Sequence, residues 1–254
     1  MTDADKSPSP RHGVARVISK SGVGSRTQAA QWIREGRVRV NGRVVRDAEF
    51  PVRQELDHVT VDGLQAPARA VVMLNKPRGL VTTTKDEQGR DTVYRCFQGA
   101  GLPWLAPVGR LDKASEGLLL LTNDSEWAAR VLAPESHLPK IYHVQVSGIR
   151  VAALADSLTE GVRVSNGDFL RVKDARILRQ GNRNTWLAIT LDEGKNRHIR
   201  RMLEQLGAEV LRLVRVAIGP LTLGDLAKGA SRRLTAEEKT AIDGAMRASV
   251  RSSK

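Results

Sequence analysis

The stretch GRLDKASEGLLLLTND, residues 109–124, sets one carboxylate, Asp112, in a short polar turn ahead of Gly117 and four consecutive leucines. A continuous apolar run of that length is consistent with a buried strand. A carboxylate on a loop anchored by such a strand is held in fixed geometry, as nucleophilic or acid–base work requires. The same Asp could instead cap its own turn through the backbone. Gly117 allows a close backbone approach or an unusual dihedral at the join. A second stretch, EGKNRHIRRMLEQLG (193–207), carries Ile199, Met202, Leu203 and Leu206 at the spacing of a helix's core face. Its opening turns crowd Lys195, Arg197, Arg200 and Arg201. Cations oppose the dipole at a helix N-terminus. A bound phosphate or a buried carboxylate would account for them there; an ordinary solvated Arg-rich face is the alternative.

Composition limits the partners. The 254 residues hold 41 Lys and Arg against 28 Asp and Glu, a net charge of +13. A polyanion is the natural partner, and nucleic acid the commonest one; a solubilising surface is the plainer reading. Aromatics are only 4%, which argues against rows of stacking platforms and for backbone contacts through Arg and Lys. The single Cys96 excludes an internal disulfide and a Cys-rich metal site. The five His lack ligand spacing, so no metal is expected. No segment approaches a bilayer span, and MTDADKSPSP lacks the apolar core of a signal peptide. A cytoplasmic protein is expected, with a monomer as the default.

The elements that must position these residues fall into two units of an α+β chain. Residues 1–10 read as a disordered tail. From 11 to 62, GVARVISKSG predicts a short helix with Val14, Val17 and Ile18 on one face. SRTQAAQWIREG predicts a second, with Ser25 and Gln28 as a capping box, Ala29, Trp32 and Ile33 at helical spacing, and Gly36 after its end. RVRVNGRVV is a hairpin signal around Asn41-Gly42, and VTVDG (59–63) another strand. Arg16, Lys20, Arg26, Arg34, Arg37, Arg39 and Arg43 all fall in the helix–helix–hairpin stretch of this unit, from GVARVISKSG through RVRVNGRVV, opposed within that stretch only by Glu35. A bound polyanion would relieve their repulsion; a solvated charged face is again the alternative. Residues 63–70 read as a linker. From 71 to 245, VVMLNKPRGLVTTT predicts two strands about a Pro/Gly turn. KIYHVQVSG (140–148), NTWLAITLDEG (184–194) and AEVLRLVRVAIG predict further strands. WAARVLA and NRHIRRMLEQLG predict helices. The domain is mixed and mainly antiparallel, and 246–254 is a tail.

The segment SRTQAAQWIREGRVRVNGRVV resembles the RNA-binding module of small-subunit ribosomal protein S-four. GRLDKASEGLLLLTND, KIYHV, EGKNRHIRRM and LNKPRGLVTTT, in that family's order, resemble the motifs of the pseudouridine synthases, within them the RsuA/RluB/RluE/RluF group. The resemblance implies isomerisation of uridine within ribosomal RNA, bare or in a ribosomal subunit assembly intermediate, by base flipping and with no cofactor. It implies Asp112 as the catalytic carboxylate and Arg200 as the cation holding it ionised. Tyr142 would stack on the target uracil, and Arg110 would help hold the flipped nucleotide. Ile199 and Leu203 would line the hydrophobic floor. Lys195, Arg197 and Arg201 would contact substrate, and the seven cations of residues 11–62 would grip RNA. The KIYHVQVSGI and EGKNRHIRRM forms lean toward large-subunit members. Two positions depart from the family: Ala114-Ser115 stands where Asp-Thr or Asp-Ser is common, and His198 where Gln is common. Two alternatives are a binding or ribosome-assembly factor on a vestigial catalytic fold, and a carboxylate glycosidase using Glu116 or Asp124 as the second acid such enzymes need.

Overall fold

The computed structural model describes residues 10–84, 86–147 and 153–252. The tail expected at 1–10 lies, except for Pro10, outside them. Among the described residues no helix is long and apolar enough to cross a membrane. The chain divides into two units, described separately.

The first unit is built as its local signals require. A short pair, β1 (His12–Gly13) with β4 (Pro51–Val52), flanks helices α1 (Val14–Lys20) and α2 (Arg26–Arg34). Strands β2 (Val38–Val40), β3 (Arg43–Val44) and β5 (Val59–Val61) form a sheet in the order β3-β2-β5. The Ser25 hydroxyl accepts from Gln28 N, and the Gln28 side chain accepts from Ser25 N, so the capping box closes. Asn41 and Gly42 both have positive φ (50° and 80°), the mirror-type turn that matches strand twist. Val14, Val17, Ile18, Ala29, Ile33, Val38, Val52 and Val61 close the core. Trp32 is half-buried and packs against it. Arg16, Arg26, Arg34 and Arg43 are exposed and Lys20 is half-exposed; none of the five joins an ion pair among the described residues. Two of the seven cations are not free. Arg37 pairs with Glu35 at 3.6 Å, and Arg39 with Asp62 at 3.4 Å, an acid the sequence reading did not count.

The second unit centres on β6 (Val71–Lys76), β7 (Ala106–Val108), β8 (Glu116–Thr122), β9 (Lys140–Ser147), a short pair β10 (Val162–Arg163) and β11 (Phe169–Leu170), β12 (Asp174–Gln180), β13 (Asn184–Leu191), β14 (Glu209–Ile218), β15 (Leu221–Thr222) and β16 (Ser231–Arg233). Nine of these form one sheet, ordered β12-β13-β9-β14-β8-β6-β16, with β15 on β14 and β7 on β8. The helices are α3 (Ser125–Leu132), α4 (Leu154–Glu160), α5 (His198–Gln205) and α6 (Ala236–Ser252). Leu154 and Leu158 of α4 and Ile199, Met202 and Leu203 of α5 share a core with Val144, Val146, Leu187, Ile189 and Leu213. Every residue of β8 is buried, as its leucine run demands.

The join before that run is tight. β8 pairs in parallel with β14, Gly117 opposite Arg215. Gly117 has φ 100°, and a β-carbon there would sit 2.3 Å from the Arg215 carbonyl oxygen. Gly117→Ala therefore combines a disfavoured dihedral, about 1–2 kcal/mol, with a backbone overlap that only strand separation can relieve. We expect a loss of about 3 kcal/mol in urea unfolding; unchanged stability would mean that the strands do not meet so closely.

Two expectations are corrected. The segment after Gly79 makes no second strand: Val81 forms a single parallel bridge to Thr92. Its polar groups are spent on the Asp112 loop instead, Gly79 N donating to Lys113 O (2.8 Å) and Thr82 Oγ1 to Leu111 O (2.8 Å). The tail expected from 246 is helical through Ser252 as part of α6.

Candidate active site

A cleft of about 490 Å³ opens in the second unit beside Asp112. Asp112 lies half-buried on the loop between β7 and β8 and lines the cleft. The loop's backbone is pinned from three sides. Ser115 N closes the turn on Asp112 O (3.0 Å). Arg200 Nη2 donates to Ala114 O (3.0 Å). Lys76 Nζ donates to the carbonyls of Ser115 (2.8 Å), Asp112 (3.1 Å) and Pro77 (3.2 Å). Lys76 is fully buried. Burial pushes its pKa down from 10.5 to about 8, against the pull of Asp112 and Glu116. The carboxylate is thus presented by a fixed backbone, and among the described residues its own oxygens take no hydrogen bond or ion pair.

The other walls come from β9, β14 and α5. Tyr142 projects from β9 and packs against the core. Arg215 sits opposite it on β14, buried, its Nε donating to Leu118 O (2.7 Å) and its Nη2 unpartnered. Arg110 lines the rim and is exposed. Lys195, Arg197, Ile199 and Arg200 line the α5 side. Arg197 stands at the head of α5 in a left-handed conformation (φ 48°, ψ 31°). Lys195 is partly satisfied by Glu193 (3.1 Å). Lys140 also lines the cleft, its ammonium made more acidic by burial and then by the charge of Arg215. Six basic side chains and one carboxylate therefore line the space: Arg110, Lys140, Lys195, Arg197, Arg200 and Arg215 around Asp112. Such a cleft takes an anionic substrate and places it against a single carboxylate.

Three sequence-based placements change. Arg200 makes no ion pair with Asp112. It acts on the loop through the Ala114 carbonyl, and the electrostatic attraction between the two persists at longer range. Burial and the charges of Arg197 and Arg78 make its guanidinium more acidic than usual, opposed by Asp112. Arg201 is absent from the lining; it pairs with Asp168 at 2.7 Å and bonds Asn166. Leu203 is buried in the core behind the cleft, leaving Ile199 as the residue of that helix face that reaches it. His198 is buried and lines the cleft, its imidazole held toward the neutral form chiefly by burial. Neither candidate second acid is available. Glu116 is held by Arg212 in a two-bond fork and by Lys228 at 2.6 Å. Asp124 accepts from Trp127 N (3.0 Å) and pairs with Arg69 (2.7 Å). That removes the paired-carboxylate geometry of a glycosidase. Among the described residues no group of three or more His, Cys, Asp or Glu could hold a metal ion.

Lys76, Lys140 and Arg215 were missed from sequence. A partial signal was present: Lys76 closes and Lys140 opens a largely apolar strand, in VVMLNK and KIYHV, and Arg215 lies inside one, in LRLVRVAIG. Such a residue is rarely buried without a task.

A basic cleft around one carboxylate suits an enzyme acting on an anionic substrate, and comparison with known proteins supplies the class. The profile of the RNA pseudouridylate synthase family matches residues 70–205, more than half of the chain, and that of the S4 domain matches residues 14–59. The chain belongs to the RNA pseudouridylate synthase family and is a pseudouridine synthase with an N-terminal S4 domain. It is 39% identical to an RNA pseudouridine synthase of Aquifex aeolicus, over 89% of this chain and 91% of that one. It is 37% identical to the ribosomal large subunit pseudouridine synthase B of Bacillus subtilis, over 88% and 92%. A crystal structure of a pseudouridylate synthase superposes with a TM-score of 0.62 at 29% identity, covering 92% of this chain and all of that one.

Proposed function

We propose that the protein converts one uridine of ribosomal RNA to pseudouridine, in the large subunit, on bare RNA or an assembly intermediate in the cytoplasm. The observation that carries this reading is the lone Asp112 carboxylate on a rigid loop among six cations. The large-subunit choice is supported by the likeness to a relative that bears that name.

The target uridine leaves its stack, at a cost of a few kcal/mol, and enters the cleft. Tyr142 stacks on the uracil, Ile199 supplies apolar floor, and Arg110, Lys195 and Arg197 hold the flanking phosphates. Asp112 acts on the sugar, by attack at C1′ or by removal of a sugar proton. The N1–C1′ bond breaks, the uracil turns within the cleft, and C5 bonds to C1′. The proton lost from C5 is balanced by the proton gained at N1, so no oxidant or external group is consumed. Arg200 and Lys76 act by positioning the loop that carries Asp112.

Affinity comes in part from the unpaired cations of the first unit. In the triple variant Arg16→Ala/Arg34→Ala/Arg43→Ala, the slope of log Kd against log salt falls by about 2, since each lost phosphate contact removes about 0.7–0.9. Turnover at saturating RNA is retained. An unchanged slope would place the RNA grip elsewhere.

The substrate assignment is tested by incubating the protein with transcripts and assembly intermediates of each subunit, then mapping pseudouridine by carbodiimide adducts. A single new site in large-subunit RNA is expected. A site in small-subunit RNA alone would overturn the subunit choice.

A further inference from the structure

Helices α4 and α5 pack on the face of β9, β13 and β14 that carries Val144, Val146, Leu187, Ile189 and Leu213, and the opposite face of these strands is built differently. Side chains alternate along a strand. Tyr142, Val144 and Val146 of β9 face the core and cleft, so Gln145 points the other way. In register with Gln145 stand Trp186 on β13 and Arg212 on β14, and Arg179 on β12 is in register with Trp186. A transverse row, Arg179–Trp186–Gln145–Arg212, therefore crosses four strands on the face away from the cleft. Two guanidiniums lie near the half-buried Trp186 ring, Arg179 at 5.4 Å and Arg212 at 5.6 Å from its centre.

Two irregularities create this row. β12 shifts register between Ile177 and Arg179, and β14 between Val210 and Arg212. Val210 packs on the core, and strict alternation would send Arg212 the same way. Likewise, without the extra residue near Leu178, Arg179 would face opposite to Arg176. Each bulge re-aims one arginine onto the Trp186 face, a recurrent use of bulges. The adjoining hairpin is strongly basic. Arg171, Lys173, Arg176, Arg179 and Arg183 are exposed, and none forms an ion pair among the described residues. Asp174 is the only acid between 171 and 183.

We propose that this face is a second RNA-binding surface, in which Arg176 and Arg179 take backbone phosphates of the substrate outside the target stem-loop and Trp186 stacks on one of its bases. The proposal rests on the RNA-modifying reading above. Unpaired guanidiniums suit phosphate geometry, and an aromatic beside cations is the element that stacks unpaired bases without sequence preference. An acidic protein surface would use the cations and leave Trp186 idle; a nucleic-acid strand uses both.

The test uses the full-length protein and two RNAs, a long large-subunit transcript and a short stem-loop carrying the same uridine. For the exposed pair Arg176→Ala/Arg179→Ala on the long transcript, KM rises about tenfold at unchanged kcat, and the salt slope falls by about 1.5. On the stem-loop the variant matches wild type. Trp186→Ala raises Kd for the long transcript about tenfold. The control Arg130→Ala/Arg247→Ala removes equal charge from exposed positions elsewhere and leaves a smaller effect. Equal losses in pair and control would overturn the proposal, as would an equal loss on both RNAs. A loss seen only with protein-containing assembly intermediates would also overturn it, in favour of an acidic protein partner. If wild type modifies neither RNA, the ribosomal substrate reading fails, while the binding comparison still decides this surface.

Discussion

Asp112→Asn abolishes turnover, by about four orders of magnitude or more, while the fold and the RNA affinity are retained. The change is isosteric, and among the described residues the hydrogen bonds that fix Asp112 in its loop are made by its backbone. Lys76, Arg200 and Ser115 therefore continue to hold the turn. The variant removes only the carboxylate charge, and it does so in a cleft lined by six cations, so RNA binding is not weakened. Thermal unfolding within about 1 °C of wild type and an unchanged Kd, alongside lost activity, separate chemistry from folding. Activity within tenfold of wild type would remove Asp112 from the reaction and leave it a turn residue.

Lys76→Met produces a different pattern. Methionine fills a similar volume but offers no donor to the carbonyls of Pro77, Asp112 and Ser115. Of the three, Asp112 O keeps the Ser115 N–H, and only Ser115 O is a buried acceptor that loses this donor, at a cost of about 1–3 kcal/mol, offset in part by no longer burying an ammonium. A net loss of about 1–2 kcal/mol in chemical unfolding is expected. With the loop released, a displacement of about 1 Å at the carboxylate costs about 100-fold in kcat, with RNA affinity unchanged. The same contacts give wild type an alkaline limb. As pH rises through about 8, Lys76 loses its proton, and a neutral amine has two N–H groups for three carbonyls, so kcat falls. Its effect on stability has the opposite sign. Between about 8 and 10.5 the unfolded chain still binds the proton that the folded chain has released, so this group's contribution to stability rises with pH there. Wild-type kcat in Lys76→Met would show that the loop needs no such anchor.

Much of the fold was legible because single residues carried strong local chemistry. Ser25 with Gln28 announced α2, and Asn41-Gly42 announced the hairpin. The leucine run from 118 announced a strand buried on both faces. Gly117 was read as a close approach or an unusual dihedral, and it has both: φ is 100° and the Arg215 backbone lies against it. Less was legible where long-range pairing decides. Nothing local says that the chain after Gly79 gives its hydrogen bonds to Lys113 and Leu111 rather than to a strand partner. The helical spacing of 199, 202, 203 and 206 identified a buried face but could not say which of its residues also reaches the cleft. Arg200 and Arg201 are neighbours of the same type; only the fold sends one to the Asp112 loop and the other to Asp168. The two bulges beside Trp186 leave no sequence signal.

The most direct test of the central claim is tritium release from ribosomal RNA labelled at uracil C5, with wild type and Asp112→Asn side by side. Bonding of C5 to C1′ must expel that hydrogen, so wild type releases it and the variant does not. Absence of release by wild type, on free RNA and on assembly intermediates of both subunits, would contradict ribosomal RNA as the substrate. Equal release by both proteins would contradict the role given to Asp112.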